Sequence, residues 1–192
     1  MKKIVIVFHS GYGHTAKVAN AIVDGASAVS ETSTMLLPID ENGEIGDAQW
    51  AILDDADAIV FGSPTYMGMA SWQFKKFADA SSQRWFNQGW KNKMAAGFTN
   101  SASLNGDKHS TLHYFITLAM QHAMIWVGLG QMPSNDKAAT REDINYMGSY
   151  SGLMTTSPSD ASVEESPPEG DIKTAKLFGQ RIAEAVKDHG LQ

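Results

Sequence analysis

The sequence predicts an α/β fold in which a doubly wound parallel sheet of five strands carries helices on both faces. Short apolar runs alternate with longer amphipathic stretches along the chain, and this alternation is typical of βαβ units. The predicted strands are almost continuously apolar, as expected of strands that are covered on both faces. A chain of 192 residues suits one compact domain, here taken as residues 1–192.

The first elements establish the pattern. Ile4–Phe8 reads IVIVF and predicts a buried strand. Thr15–Ala28 places valine, isoleucine and alanine at helical spacing, and Thr32–Ile39 has the composition of a second strand. Asp47–Asp54 begins with a residue that can cap a helix, so we expect a short helix there.

The middle of the chain continues the alternation. Ala58–Gly62 predicts the third strand, closed by Ser63 and Pro64. Ser71–Ser82 predicts a helix that turns tryptophan and phenylalanine side chains toward the core. Lys93–Asn100 predicts the fourth strand, and its parallel neighbours then require right-handed crossovers.

The last third contains one departure from this rhythm. Asp107–Ala123 predicts a helix, Met124–Gly130 the fifth strand, and Asp171–Asp188 the closing helix. The segment 130–170 between the last two is rich in serine, proline, asparagine and acidic residues. Loops of this length are uncommon inside a domain and are often functional, so it is either a surface insertion or a loop that covers a site or builds a subunit contact.

Composition excludes several classes of function. The net charge of −6 argues against nucleic acid as a partner, because that would need a basic face. The chain has no cysteine, which rules out disulfides, thiolate catalysis and thiolate metal sites, and we expect no metal. The N-terminal apolar run is too short for a signal peptide, and no stretch has the length of a membrane span. A cytoplasmic protein is expected.

The segment Ser10–Thr15, SGYGHT, follows the first strand and enters a helix. Free backbone N–H groups and the helix dipole favour an anion such as a phosphate at that point. Two interpretations are open. Gly11–Ala16 fits the dinucleotide pattern G-x-G-x-x-A, with Asp40 placed after the second strand to bind a ribose. Alternatively, the hydroxyl groups of Ser10 and Thr15 bind a single phosphate.

Two further loops follow strands that should end at the same edge of the sheet. Gly62–Ser71, GSPTYMGMAS, offers tyrosine and methionine surfaces suited to a planar ring, and a glycine that lets backbone approach it. Thr99–Asp107, TNSASLNGD, offers hydroxyls and backbone amides to a polar ring edge. The three loops together predict a site for a phosphorylated planar cofactor.

These motifs resemble the flavodoxin-like superfamily, and specifically the WrbA-type NAD(P)H:quinone oxidoreductases and related FMN reductases. HSGYGHT resembles the family's phosphate loop, GSPTYMGMAS its loop under the flavin ring, and TNSASLNG its polar third loop. NYMGSYSGLM resembles a segment of related flavoproteins. The resemblance implies the strand order 2-1-3-4-5, a tightly bound FMN, NADH or NADPH as electron donor, and a homodimer or homotetramer.

The resemblance also implies a role for individual residues. The FMN phosphate would be held by Ser10, Gly11, Tyr12, Gly13, His14 and Thr15. The flavin ring would contact Pro64, Thr65, Tyr66, Met67 and Gly68, and its other edge Thr99, Asn100, Ser101, Ala102, Ser103, Leu104, Asn105 and Gly106. His122 is expected near the flavin and, with Tyr12, at the catalytic face. Trp85 is expected to line a substrate pocket from a neighbouring subunit.

The activity implied is hydride transfer from NADH or NADPH to the flavin and then to a quinone or similar aromatic acceptor, in a ping-pong cycle. The chain departs from the family in having Gln121-His122 where two histidines are usual, and in lacking the glycine run of the third loop. These departures concern the quinone specificity more than the FMN site. Four alternatives to the implied activity stay open: an electron-carrier flavodoxin, a reductase of azo compounds, nitro compounds or free flavin, an NAD-dependent dehydrogenase, and a scaffold that has lost its cofactor.

Overall fold

The computed structural model describes residues 1–189. Its strands are β1 Lys2–Phe8, β2 Thr32–Pro38, β3 Ala58–Tyr66, β4 Met69–Ala70, β5 Met94–Ser101, β6 Ile125–Trp126 and β7 Leu153–Thr156. Its helices are α1 His14–Ser27, α2 Asp47–Asp54, α3 Trp72–Ala80, α4 Ser82–Phe86, α5 Lys108–Gln121 and α6 Glu169–Asp188. No helix in this part of the chain is both long and apolar enough to cross a lipid bilayer.

The strands form a parallel sheet in the order β2-β1-β3-β5-β6, with β7 also paired to β5. This order confirms the predicted doubly wound topology, with seven strands where five were predicted. The two additional strands are the short hairpin partner β4, antiparallel to β3, and the segment β7. All strands of the main sheet therefore end at one edge, and that edge holds the loops predicted to form a site.

Alternate residues of β1 show how the sheet is covered. Ile4 and Ile6 lie in a core with α1 and α6, where Ile22 and Phe178 pack against them. Val5 belongs to the second core, on the opposite face, with side chains of α2, α3 and α5. Successive side chains of a strand point to opposite faces, so one apolar run supplies both cores.

Helices α1 and α6 approach each other closely through two glycines. A Cβ at Gly25 would lie 1.8 Å from the carbonyl oxygen of Lys176, and a Cβ at Gly179 would lie 2.0 Å from that of Ile22. Neither position can hold a side chain without separating the helices. The glycines therefore fix how tightly α6 packs on α1, the helix that follows the predicted phosphate loop.

Two predicted boundaries were wrong near the third strand. The strand does not close at Ser63 and Pro64 but continues to Tyr66. Strand β1 pairs with β3 only as far as Gly62, so the missing N–H of Pro64 leaves no ladder bond unmade on that side. The next helix is also shorter than predicted: Ser71 caps it by accepting a hydrogen bond from the backbone N–H of Phe74 (3.4 Å), and α4 follows as a separate turn.

The predicted fifth strand was also wrong in extent. Of Met124–Gly130, only Ile125–Trp126 pairs with β5, beside Met94 and Ala95. The rest of this edge is supplied by β7, which pairs with Phe98–Ser101. Residues 127–152 leave the sheet between β6 and β7. The two ends of this segment are joined by a hydrogen bond from Leu129 N to the Tyr150 carbonyl (3.0 Å). The segment 130–170 thus contains a sheet strand as well as an insertion.

Candidate functional site

A cavity of about 800 Å³ opens at the carboxyl ends of β1, β3, β5 and β7. Four loops bound it, and three of them are the loops singled out from the sequence. Its lining residues are Tyr12, His14, Thr15, Pro64, Thr65, Tyr66, Met67, Asn100, Ser101, Ala102, Ser157, Pro158, Ser159, Ala161, Ser162 and Val163. A cavity of this volume suits a cofactor or a drug-sized ligand.

The first loop presents a helix N-terminus to the cavity. Gly13 is the N-cap of α1, with φ of 92°, and as a glycine it has no side chain to cap the helix. Ser10 Oγ accepts a hydrogen bond from the N–H of Ala16 (3.2 Å), one turn further in. Ala16 is the third residue of the helix, so the N–H groups of His14 and Thr15 and the hydroxyl of the buried Thr15 remain for a ligand, and the helix dipole favours an anion.

The second loop is a tight β-hairpin between β3 and β4. Tyr66 pairs with Met69, and the two residues between them, Met67 and Gly68, both have positive φ (47° and 78°). This conformation at both central positions matches the twist of a hairpin but is costly for methionine. The Met67 side chain projects fully into solvent at the cavity rim.

Tyr12 and Tyr66 form one side of the cavity mouth. Their rings meet edge to face, with centroids 6.3 Å apart and planes at 73°. A Cβ at Gly11 would lie 2.6 Å from the Tyr66 hydroxyl, so Gly11 allows that close approach. Burial raises the pKa of Tyr66, with a smaller contribution from Tyr12, so the hydroxyl is kept protonated and able to donate.

A network of hydroxyl groups fixes the floor. Thr65 Oγ1 lies 2.8 Å from both Thr99 Oγ1 and Thr111 Oγ1. Asn100 Oδ1 accepts hydrogen bonds from Thr155 Oγ1 (2.8 Å) and Ser157 Oγ (3.1 Å). These two bonds orient the Asn100 amide, whose Nδ2 group remains as a donor for a ligand.

The fourth loop, Ser157–Val163, was not among the predicted site residues. It lies inside the segment 130–170 and reaches the cavity because β7 ends at the same edge as β1, β3 and β5. The signal in the sequence was the polar run after an unrecognised strand, Leu153–Thr156. One of the two interpretations of that segment, a loop that covers a site, agrees with this placement.

Helix α1 holds the fourth loop in place. His14 Nε2 lies 3.2 Å from the Ala161 carbonyl oxygen and 3.3 Å from that of Ser162. Lys17 Nζ donates to the carbonyl of Val163 at the end of this loop (2.7 Å), and to those of Glu164 (3.1 Å) and Ser166 (3.3 Å) just beyond it. His14 was predicted as a phosphate contact, whereas its ring nitrogen is engaged by the loop.

Ten of the predicted cofactor residues line the cavity: Tyr12, His14, Thr15, Pro64, Thr65, Tyr66, Met67, Asn100, Ser101 and Ala102. Others belong to the same loops without lining it: Ser10, Gly11, Gly13, Gly68, Thr99, Ser103, Leu104, Asn105 and Gly106. Gly13 lies directly behind the lining, because a Cβ there would come 2.7 Å from Val163 Cγ2.

His122, which was expected near the cofactor, does not line this chain's own cavity, and its place beside a flavin stays a prediction. His122 follows α5, and α5 runs from the cavity edge to the opposite edge of the sheet. There its side chain is 3% exposed, packs against Trp90 with ring centroids 4.4 Å apart and planes at 33°, and lies beside Ser81. Trp85 shares that remote surface depression with His122, so it does not line the cavity either. Its contribution to a neighbouring subunit stays a prediction.

The protonation state of His122 follows from its neighbours. Ser81 Oγ donates its single proton to the Ala78 carbonyl (2.7 Å), so His122 Nε2 donates to Ser81 Oγ (2.9 Å). Nδ1 is then an unprotonated, buried nitrogen that has no hydrogen-bond partner in the described part of the chain. Burial lowers the pKa of His122 to about 4, and the ring is neutral at pH 7.

Asp40 does not support the dinucleotide interpretation. Its Oδ1 accepts backbone hydrogen bonds from Asn42 (3.0 Å) and Glu44 (2.7 Å), which close a turn after β2. Asp40 is therefore engaged locally and is absent from the cavity lining. Within residues 1–189, no carboxylate, lysine or arginine side chain lines the cavity, so an anion there would be held by hydrogen bonds and the α1 N-terminus.

Comparisons with known proteins agree with this geometry. Residues 41–138 match the family model described as NADPH-dependent FMN reductase. The chain is 51% identical to "Flavodoxin FldP" of Pseudomonas aeruginosa, over 95% of this chain and 96% of that protein. It is 33% identical to "NAD(P)H dehydrogenase (quinone)" of Solidesulfovibrio magneticus, over 96% of this chain and 97% of that protein.

A solved structure extends the likeness to three dimensions. The flavodoxin, WrbA-like protein from Agrobacterium tumefaciens is 45% identical and superimposes with a TM-score of 0.79, covering 98% of this chain and 99% of that one. Identity at this level over nearly the whole length goes beyond a shared fold. The chain belongs to the flavodoxin-like, WrbA-type family of flavin oxidoreductases.

Proposed function

We propose that this protein binds FMN in the cavity and catalyses electron transfer from NADH or NADPH to a quinone or a similar planar acceptor. The observation that carries the proposal is the cavity itself. One end is the N-terminus of α1, where the N-cap residue Gly13 has no side chain to occupy the first N–H groups, and the mouth is bounded by the exposed Tyr12 and Met67. A ligand with a phosphate at one end and a planar ring at the other matches both features.

The residues present fit FMN. The N–H groups of the α1 first turn and Thr15 would bind the phosphate without a cationic side chain. Thr65, Tyr66 and Asn100 offer polar atoms along the wall, where a sugar alcohol and a ring edge need donors and acceptors. FMN, when bound, supplies the redox chemistry, and the protein supplies binding, orientation and electrostatics.

At the cavity mouth, the ring of Tyr12 would contact the substrates. Tyr12 is 79% exposed, so its ring is available to a planar molecule that approaches from solvent. Nicotinamide and a quinone are both planar, and both would use the same opening in turn. The relatives' names support NAD(P)H and quinones as substrates, since several proteins about 30% identical are called NAD(P)H dehydrogenase (quinone).

The first test is reconstitution. We expect the purified protein to bind FMN with one-to-one stoichiometry, to become yellow, and to turn over NADPH with benzoquinone. The variant Ser10→Ala/Thr15→Val should bind FMN about 100-fold more weakly, because Thr15 would lose its hydrogen bond to the phosphate and Ser10 would no longer hold the N–H of Ala16 in the first turn. Ser27→Ala/Thr34→Val is a matched control, since these hydroxyls bond each other at 2.9 Å on the protein surface. Equal FMN affinity in all three proteins would contradict the proposed site.

A second candidate is an electron carrier without substrate turnover of its own. It is favoured by the name of the relative that is 51% identical, a flavodoxin. Steady-state assays with NADPH and benzoquinone distinguish the two, because a carrier would be reduced by a partner reductase but would show no turnover with these substrates alone. A panel of azo compounds, nitro compounds and free FMN identifies the acceptor if turnover is found.

A further inference from the structure

Lys108 is a fully buried lysine next to the candidate site. It is the first residue of α5, and its relative exposure is 0%. Its ammonium group donates to the carbonyls of Ser103 and Leu104, the latter at 2.9 Å, and to Thr156 Oγ1 at 3.1 Å. All three donor positions are therefore used, and a lysine at a helix N-terminus is otherwise unfavourable because of the helix dipole.

These three bonds connect two of the loops that bound the cavity. Ser103 and Leu104 belong to the loop after β5, which begins with the lining residues Ser101 and Ala102. Thr156 ends β7 and is followed at once by the lining residue Ser157. A single cation thus holds two loops, which arise from segments of the chain about 50 residues apart.

A carboxylate behind Thr156 completes the cluster. Asp171 is 2% exposed and accepts hydrogen bonds from Thr156 N (2.8 Å) and from Arg141 Nη2 (2.7 Å). Arg141 lies in the insertion that follows β6, and its Nη1 also contacts Met147 Sδ (2.9 Å). The insertion, α6 and both cavity loops therefore meet at one buried polar cluster.

We propose that Lys108 is a positioning residue whose charged ammonium group holds the loops after β5 and β7 in the conformation that binds FMN. This inference rests on the proposed function, because FMN is the ligand whose binding it affects. A neutral Lys108 has one donor fewer, which leaves one of the three oxygens unpaired and frees a loop. Among residues 1–189, no lysine or arginine lines the cavity that could replace Lys108 at these carbonyls.

Burial and the neighbouring charges bring the pKa of Lys108 into a pH range in which FMN binding can be measured. Burial lowers the pKa of Lys108 to about 8, Asp171 opposes that decrease, and Arg141 adds to it. If FMN binds to the protein with Lys108 charged, affinity is full below that pKa and is lost as pH rises through it. The FMN phosphate itself titrates near pH 6, outside this range.

The experiment measures the FMN dissociation constant of the wild-type protein by flavin fluorescence from pH 6.5 to pH 9.5. We expect the dissociation constant to rise about tenfold between pH 7 and pH 9, the increase for one proton with a pKa near 8. Lys108→Met should bind FMN at least tenfold more weakly at pH 7, and its dissociation constant should not change over the same range.

Lys93→Met is the matched control. Lys93 is also partly buried and donates to two carbonyls, those of Asp54 (2.8 Å) and Ala56, but at the opposite edge of the sheet. Its substitution should leave both the affinity and the pH profile unchanged. If Lys108→Met does not fold, the pH profiles of wild type and Lys93→Met still test the proposal, because both proteins must show the increase in the FMN dissociation constant above pH 8.

The outcomes separate this inference from the proposed function. If the FMN dissociation constant of the wild-type protein does not change from pH 7 to pH 9.5, the role of Lys108 is refuted and the FMN site is left intact. Equal affinity of Lys108→Met and wild type at pH 7 would refute it as well. Wild-type protein that binds no FMN at pH 7 would refute both.

Discussion

Acidification should destabilise the fold through His122, a residue that takes no part in the cavity. His122 Nε2 donates to Ser81, and Nδ1 is buried without a partner beside the ring of Trp90. Protonation of Nδ1 would place a positive charge and an unpaired N–H in that surrounding. The folded protein therefore binds this proton more weakly than the unfolded chain does.

The size of the effect follows from the two pKa values. The pKa of His122 is lowered from 6.5 to about 4 by burial. A histidine whose folded pKa is depressed leaves stability intact above pH 6.5 and removes it as pH falls toward the folded pKa. The free energy of unfolding should therefore fall by about 2 kcal/mol between pH 7 and pH 5, and by about 3 kcal/mol in total at lower pH.

Urea denaturation at pH 7, 6 and 5 measures this, with His122→Gln as the variant. The glutamine Nε2 can donate to Ser81 as the ring nitrogen does, but it does not titrate. His9 also has its pKa lowered by burial, and it contributes equally to both proteins, so the difference between them isolates His122. His113→Asn, at an exposed position of α5, is the control and should follow the wild type. Parallel loss of stability in wild type and His122→Gln would refute the reasoning.

Three further predictions concern packing and loop geometry. Gly179→Ala should lower the free energy of unfolding by about 2 kcal/mol in urea, despite alanine's better helix propensity, because its Cβ would lie 2.0 Å from the Ile22 carbonyl oxygen; unchanged stability would contradict the close helix contact. Lys17→Met should weaken FMN binding about tenfold in a fluorescence titration, since the loop 157–166 loses three hydrogen bonds; unaltered affinity would mean that the loop needs no such support. Met67→Asn should raise stability by about 0.5–1 kcal/mol, because asparagine tolerates the φ of 47° at the hairpin turn; a decrease would indicate that the methionine makes contacts of its own.

The sequence predicted the fold well because its signals were local. The run Ile4–Phe8 and the helical spacing after Thr15 needed no knowledge of the rest of the chain, and the alternation of such segments limits the topology. The three loops after β1, β3 and β5 were brought together by the same argument, since parallel strands end at a common edge. Ten of the cavity's lining residues were predicted in this way.

The remainder depended on contacts distant in sequence. Strand β7 is only four residues long and pairs with β5 alone, so Leu153–Thr156 gave too short an apolar signal to be recognised. Without that strand, the loop 157–163 could not be assigned to the cavity edge. His122 was assigned by resemblance, and its position at the far end of α5 becomes evident only when the direction of that helix is known.

The divided edge of the sheet shows which part of the chain the sheet itself does not require. Trp126 pairs with Ala95 and Leu153 pairs with Phe98, so only Ala96 and Gly97 of β5 separate the two halves. A bridge of two residues in place of 127–152 would join them into one uninterrupted edge strand. The segment 127–152 is therefore far longer than the continuity of the sheet requires. What it contributes is Arg141, the cation paired with the buried Asp171.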